Sequence, residues 1–78
     1  MVKVFILLKI KPSAVNNVES SLRSMVEVRE FYLLTGRYDG IAILDFPTVG
    51  EALECISTRI MRIDGIKESE TLVELPPF

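Results

Sequence analysis

The chain has 78 residues, 49% of them hydrophobic, with nine basic and eleven acidic side chains and a formal charge of −2. A domain this short buries only about 60% of the surface its unfolded chain exposes, and one cysteine with no histidine excludes an intrachain disulfide and the commonest zinc-ligand sets, so self-association is the remaining route to further stability. A mildly acidic chain without a basic stripe argues against direct nucleic-acid binding, and no run approaches the roughly 20 apolar residues of a membrane span.

The first element is a strand over Val2–Ile10. Val2, Val4, Ile6, Leu8 and Ile10 alternate with Lys3, Phe5, Leu7 and Lys9, so both faces of the strand are apolar at its centre. Lys3 and Lys9 break this run and no small-residue cleavage site follows, which excludes a signal peptide and points to a soluble, cytoplasmic protein. Lys11-Pro12-Ser13 ends the strand. Val15, Val18, Leu22 and Met25 then form one stripe of an amphipathic helix, which Ser13 or Asn16 would cap, with Asn16 and Glu19 the better capping box.

Glu27–Thr35 reads as a second strand, turning at Gly36 and returning through Ile41–Phe46 to a stop at Pro47. Thr48-Val49-Gly50-Glu51 is the capping signature of a second helix, with Val49, Leu53, Ile56, Ile60 and Ile63 as its inner stripe and Ala52 beside it. Glu51 and Glu54 near its start and Arg59 and Arg62 near its end match the helix dipole. Asp64-Gly65 stops it, and Ile66–Leu75 supplies a last strand before Pro76-Pro77.

The order βαββαβ over residues 1–78 predicts one α+β domain of ferredoxin-like fold, a four-stranded antiparallel sheet with both helices on one face. The other face would then need a cover. Phe5 and Leu7, with Phe31, Leu33, Ile41 and Ile43 on the paired strands, are the candidates for it, which predicts a dimer formed through the open sheet faces and driven by apolar burial at about 25 cal/mol per Å².

For catalysis the inventory is thin, with no histidine and no phosphate-binding or dinucleotide fingerprint, and no metal or cofactor is expected. Cys55, inside the second helix, reads as a small buried hydrophobe. Asp39, Asp45, Glu30 and Glu70 could form carboxylate pairs, but no spacing selects two of them. The turn Thr35-Gly36-Arg37-Tyr38-Asp39-Gly40 is more informative, because it gathers a hydroxyl, a phenol and a carboxylate at one end of the sheet. Its glycines and Asp39 have ordinary turn chemistry. Equally, its backbone groups could hold the ends of a free amino acid, with Asp39 as counter-charge to the ammonium and Thr35 and Tyr38 as hydrogen-bond partners.

The pattern Val28-x-Glu30-x-Tyr32-x-x-Thr35-Gly36-x-Tyr38-Asp39, then the helix from Thr48 to Ile63, then Asp64-Gly65-Ile66-x-x-Ser69-x-Thr71-x-Val73 resembles the ligand-sensing module of the leucine-responsive/asparagine-regulator (Lrp/AsnC) family. This module is also called the regulation-of-amino-acid-metabolism (RAM) domain. The resemblance implies a homodimer through the sheets, dimers assembled into an octamer or similar ring, and a free amino acid bound between dimers. Carried over by position, the ligand-binding candidates are Thr35, Gly36, Tyr38 and Asp39, with Ser69 and Thr71 from the last strand and Tyr32 and Leu34 lining an apolar part. Full-length family members begin with a helix-turn-helix domain. This sequence starts at the first strand of the sensing module, so it resembles the stand-alone form, an accessory of transcription regulation rather than a direct DNA binder. Such a form could join full-length family regulators in mixed rings. The rival reading is a small dimeric α+β barrel enzyme, such as a cofactor-independent monooxygenase or isomerase, which would place a cleft between sheet and helices in each monomer. A bare assembly module is the third.

Overall fold

The structure, a computed structural model, describes residues 1–75, so the stop expected at Pro76-Pro77 lies outside the described residues. Strand β1 (Val2–Ile10) is followed by a 3-10 turn (Pro12–Ala14), helix α1 (Val15–Arg23), strands β2 (Val28–Leu33) and β3 (Gly40–Phe46), helix α2 (Val49–Cys55) with a wider turn (Ile56–Ile60), and strand β4 (Ile66–Val73). The four strands form one antiparallel sheet in the order β2-β3-β1-β4, which is the predicted ferredoxin-like α+β fold.

Alternation in β1 sets the two faces. Val4, Ile6, Leu8 and Ile10 are buried against the helices, joined by Ala42, Leu44 and Phe46 from β3 and by Val18, Leu22, Ala52, Cys55, Ile56 and Ile60 from the helical layer. No polar side chain is buried with them among the described residues. Phe5 and Leu7 look the other way, beside Ile43 and Ile41, their partners in β3, and all four are half-buried in the single chain.

Phe31 and Leu33 are not on that open face. Phe31 is opposite Ala42 and is 2% exposed, on the helix side. The cause is a register shift between Val28 and Glu30: Val28 faces Leu44 and Glu30 faces Ile43, so an extra residue interrupts the alternation and inverts every side chain after it. Glu30 and Tyr32 therefore take the open-face positions of β2. Gly40 makes the burial of Phe31 possible, because a Cβ there would stand 3.1 Å from the ring's Cζ.

Both helices also differ from expectation in detail. The Pro12 turn starts the helical winding before Asn16, so the expected Asn16–Glu19 capping box does not form and no side chain, Ser13 included, caps α1. A proline at the first helical position explains the early start, since its fixed φ suits it and it has no N–H to lose. Asn17 instead donates from Nδ2 to the Asp64 carbonyl at 3.1 Å, tying α1 to the turn before β4. In α2, Thr48 does cap, accepting from the Glu51 amide at 3.1 Å. Its inner stripe, however, is Ala52, Cys55, Ile56 and Ile60, while Val49 and Leu53 are exposed. The Met61 N–H donates to the Ile56 carbonyl at 2.9 Å, which widens the last turn by one residue. The outer strands are shorter than read from sequence, β2 ending at Leu33 and β4 at Val73. Among the described residues no helix is long and apolar enough to cross a membrane.

Candidate functional site

The loop between β2 and β3 runs from Leu34 to Asp39 and closes with the Leu34 N–H donating to the Asp39 carbonyl at 2.8 Å. Gly36 has φ +109 at the exposed tip, a left-handed conformation that side chains with a Cβ disfavour, and a Cβ there would meet nothing within 4 Å. Thr35, Gly36 and Arg37 are exposed; Tyr38 and Asp39 are half-buried where the loop returns to the sheet.

Asp39 is fixed on three sides. Its N–H donates to the Leu8 carbonyl at 2.8 Å, its carbonyl accepts from Leu34, and its Oδ2 accepts from the Ile10 N–H at 2.8 Å. The Leu8 carbonyl points toward β3, so the amide of Ile10, two residues on, points the same way, past the start of β3. The Asp39 carboxylate takes that amide and extends the ladder by one step.

Tyr38 reaches across the end of β1 to β4, where its hydroxyl donates to Glu70 Oε1 at 2.8 Å. Hydrogen bonding to Glu70 is the main cause that holds its phenol above the ordinary 10.0, followed by partial burial and the Glu70 charge. The Arg37 guanidinium lies 5.9 Å from the Tyr38 ring centre. Next along β4, Glu68 pairs with Lys9 at 3.3 Å. Glu70 is opposite Leu7 and Glu68 opposite Lys9, so this group sits on the open face, at the end of its apolar centre.

The other candidates are not gathered here. Ser69 and Thr71 are opposite Leu8 and Ile6, on the helix side of β4, and the Ser69 hydroxyl donates to Met61 Sδ at 3.1 Å. Tyr32 is on the open face of β2, three strands from β4, a separation of about 14 Å at the usual strand spacing. Its hydroxyl donates to Glu30 Oε1, which raises its phenol above the ordinary value. Leu34, the first residue of the loop, is 39% exposed. A shallow cavity of about 290 Å³ lies at the β2 edge among Arg23, Arg29, Glu30, Phe31 and Tyr32. Arg23 spans it, donating to the Phe31 carbonyl at 3.0 Å and so occupying part of the unpaired strand edge. Cys55 is 8% exposed, and burial is the main cause that raises its thiol above the ordinary value, as suits a packing role rather than a nucleophile.

Sequence reasoning named Thr35, Gly36, Tyr38 and Asp39 as one group, and the chain does hold them in one loop. It did not find the Tyr38–Glu70 bond, which spans 32 positions and depends on the register of β4 against β1.

The model of the Lrp/AsnC ligand binding domain matches residues 3–76. Among solved structures, a hypothetical protein of Pyrococcus horikoshii superposes with a TM-score of 0.90 at 27% identity, covering 99% of this chain and 93% of that one. AsnC of E. coli superposes with a TM-score of 0.89 at 27% identity, over 97% of this chain and 52% of its own. A transcriptional regulator of Neisseria meningitidis, solved as a complex with L-Met, gives a TM-score of 0.89 at 19% identity, over 96% of this chain and 50% of its own; at that identity it speaks for the fold alone. The chain thus spans about half the length of these two regulators. No curated protein sequence matches it.

Proposed function

This chain belongs to the Lrp/AsnC ligand-binding domain family, and from that premise we propose that it is an effector-sensing and assembly domain that binds a free amino acid at the 34–39 loop. The observation that carries this reading is the loop itself. Thr35 and Gly36 are exposed while Tyr38 and Asp39 anchor the loop to β4 and β1, so polar groups are presented from a fixed base. Within one chain these groups lie on an open surface. A second copy placed against the loop would close a pocket over them.

The open sheet face supplies the first step of that assembly. Phe5, Leu7, Ile41, Ile43 and Leu72 form an apolar centre across three strands, bordered by the Arg29–Asp45 pair at one end and the Lys9–Glu68 pair at the other. Such a face is stable in water when covered by its own two-fold copy, apolar centre on apolar centre. Dimers then meet through their loops, and an amino acid held between them shifts assembly because it contacts the assembled state and only half-contacts the free one. In the enzyme reading, substrate would enter between sheet and helices; that space is filled by the apolar core.

Native mass spectrometry with and without the twenty L-amino acids tests the proposal. A multiple of dimers carrying discrete masses of one amino acid is expected. A dimer that the mixture leaves unchanged would overturn it.

A further inference from the structure

We propose that the two carboxylates at the loop divide the work: Glu70 is the counter-charge for the effector's ammonium group, and Asp39 is a positioning residue that holds the loop to β1. This rests on the amino-acid reading above and assigns the charge within that site.

Asp39 is already committed. One carboxylate oxygen completes the β1–β3 ladder through the Ile10 amide, its N–H is bonded to Leu8 in β1 and its carbonyl closes the loop on Leu34. An ammonium drawn to this carboxylate competes with the Ile10 amide for a half-buried acceptor. Glu70 is placed differently. It is exposed, its bond is to the neutral phenol of Tyr38, and among the described residues it has no ion-pair partner. The nearest basic residue along the strand pair, Lys9, is taken by Glu68 at 3.3 Å. Arg37 lies against the far partner of the bond, the Tyr38 ring. Tyr38 thus orients a carboxylate that has no ion-pair partner among the described residues and keeps an open side, at the end of the sheet where the loop presents Thr35 and Gly36. A protonated amine is the group that this arrangement recognises, since a charged acceptor beside a hydroxyl binds an ammonium through charge-assisted hydrogen bonds.

The test uses two substitutions that remove charge and keep an acceptor, Glu70→Gln and Asp39→Asn. The amino acid found by screening all twenty is titrated calorimetrically, beside its deaminated analogue. Glu70→Gln weakens the amino acid by about tenfold or more while leaving the analogue's binding nearly unchanged, as loss of a charge-assisted bond requires. Asp39→Asn changes the amino acid's affinity by less than about threefold, because the amide oxygen still accepts from Ile10. The opposite pattern, with Asp39→Asn abolishing the preference for the amine and Glu70→Gln retaining it, overturns the assignment.

A readout without ligand separates this inference from the function it rests on. Hydrogen exchange at the Ile10 amide is faster in Asp39→Ala and restored in Asp39→Asn. Failure of the alanine variant to fold, rescued in the asparagine variant, supports the same role; exchange equal in all three proteins overturns it. If wild type binds none of the twenty amino acids, the sensing function and the Glu70 assignment fall together, and Ile10 exchange still decides the role of Asp39.

Discussion

Gly65→Ala is a sharp test of how the two halves of the fold are joined, because the cost has two separable sources. Gly65 has φ +104, and a Cβ there would lie 2.2 Å from Ala14 Cβ and 3.4 Å from Val18 Cγ2. The same residue's carbonyl accepts from the Lys11 N–H at 2.8 Å, so the turn before β4 is pressed onto the start of the α1 region and cannot simply swing away. A side chain held in that backbone conformation costs about 1–3 kcal/mol, and overpacking adds about 1–3 kcal/mol. Gly36→Ala supplies the control: φ is +109 and nothing lies within 4 Å, so it carries the first cost alone. In a domain of this size 1 kcal/mol moves Tm by roughly 4–8 °C, which puts Gly65→Ala roughly 10 °C below Gly36→Ala. Thermal melts followed by circular dichroism, at one fixed protomer concentration so that assembly does not enter the comparison, measure it. Adding Ala14→Gly removes the colliding methyl, so the double variant should be more stable than the sum of its parts. Equal melting of the two single variants, with additive behaviour in the double, would refute the close contact between this turn and Ala14.

Three more outcomes follow from the same geometry. Thr48→Ala removes the acceptor for the Glu51 amide and should lower stability by about 1 kcal/mol in urea unfolding. In a Tyr32→Phe background, ultraviolet titration reads Tyr38 alone. Its phenol is neutral when it donates to Glu70, so the bond is intact below pH 10.0 and is lost as pH rises through the raised value; Glu70→Ala should bring the titration back toward 10.0. Ile43→Arg places a charge at the centre of the open face on a side chain that is only half-buried in the single chain. Sedimentation equilibrium should find a folded monomer, whereas an unchanged assembly would show that the sheet faces do not meet.

The element order and the two faces of β1 were legible because each is set by local alternation, and the Thr48 cap because it needs only three residues of context. What was not legible was set by the partner strand or by the winding of the chain. Phe31 faces the helices because of the shift between Val28 and Glu30, which no period-two count across that segment can include. The stripe expected for α2 holds at Ile56 and Ile60 and fails at its start, where Ala52 and Cys55 are buried in place of Val49 and Leu53, because a period count weights bulky apolar residues over small ones. Asn16 looked like a cap because a proline-started 3-10 turn and an α-helix start share the same sequence signals. At the site, the loop residues form one group because they are consecutive. The bonds of that loop to Ile10 and Glu70 run 29 and 32 positions away and exist only once β1 has paired with both neighbours.

Amide hydrogen exchange read by mass spectrometry, on the assembled protein with and without the bound amino acid, tests the central claim most directly. Binding at the loop predicts protection confined to residues 34–39 and to the Glu68–Glu70 stretch of β4. Protection confined to the β2-edge cavity, over Arg23 and Arg29 to Tyr32, with the loop unchanged would contradict it.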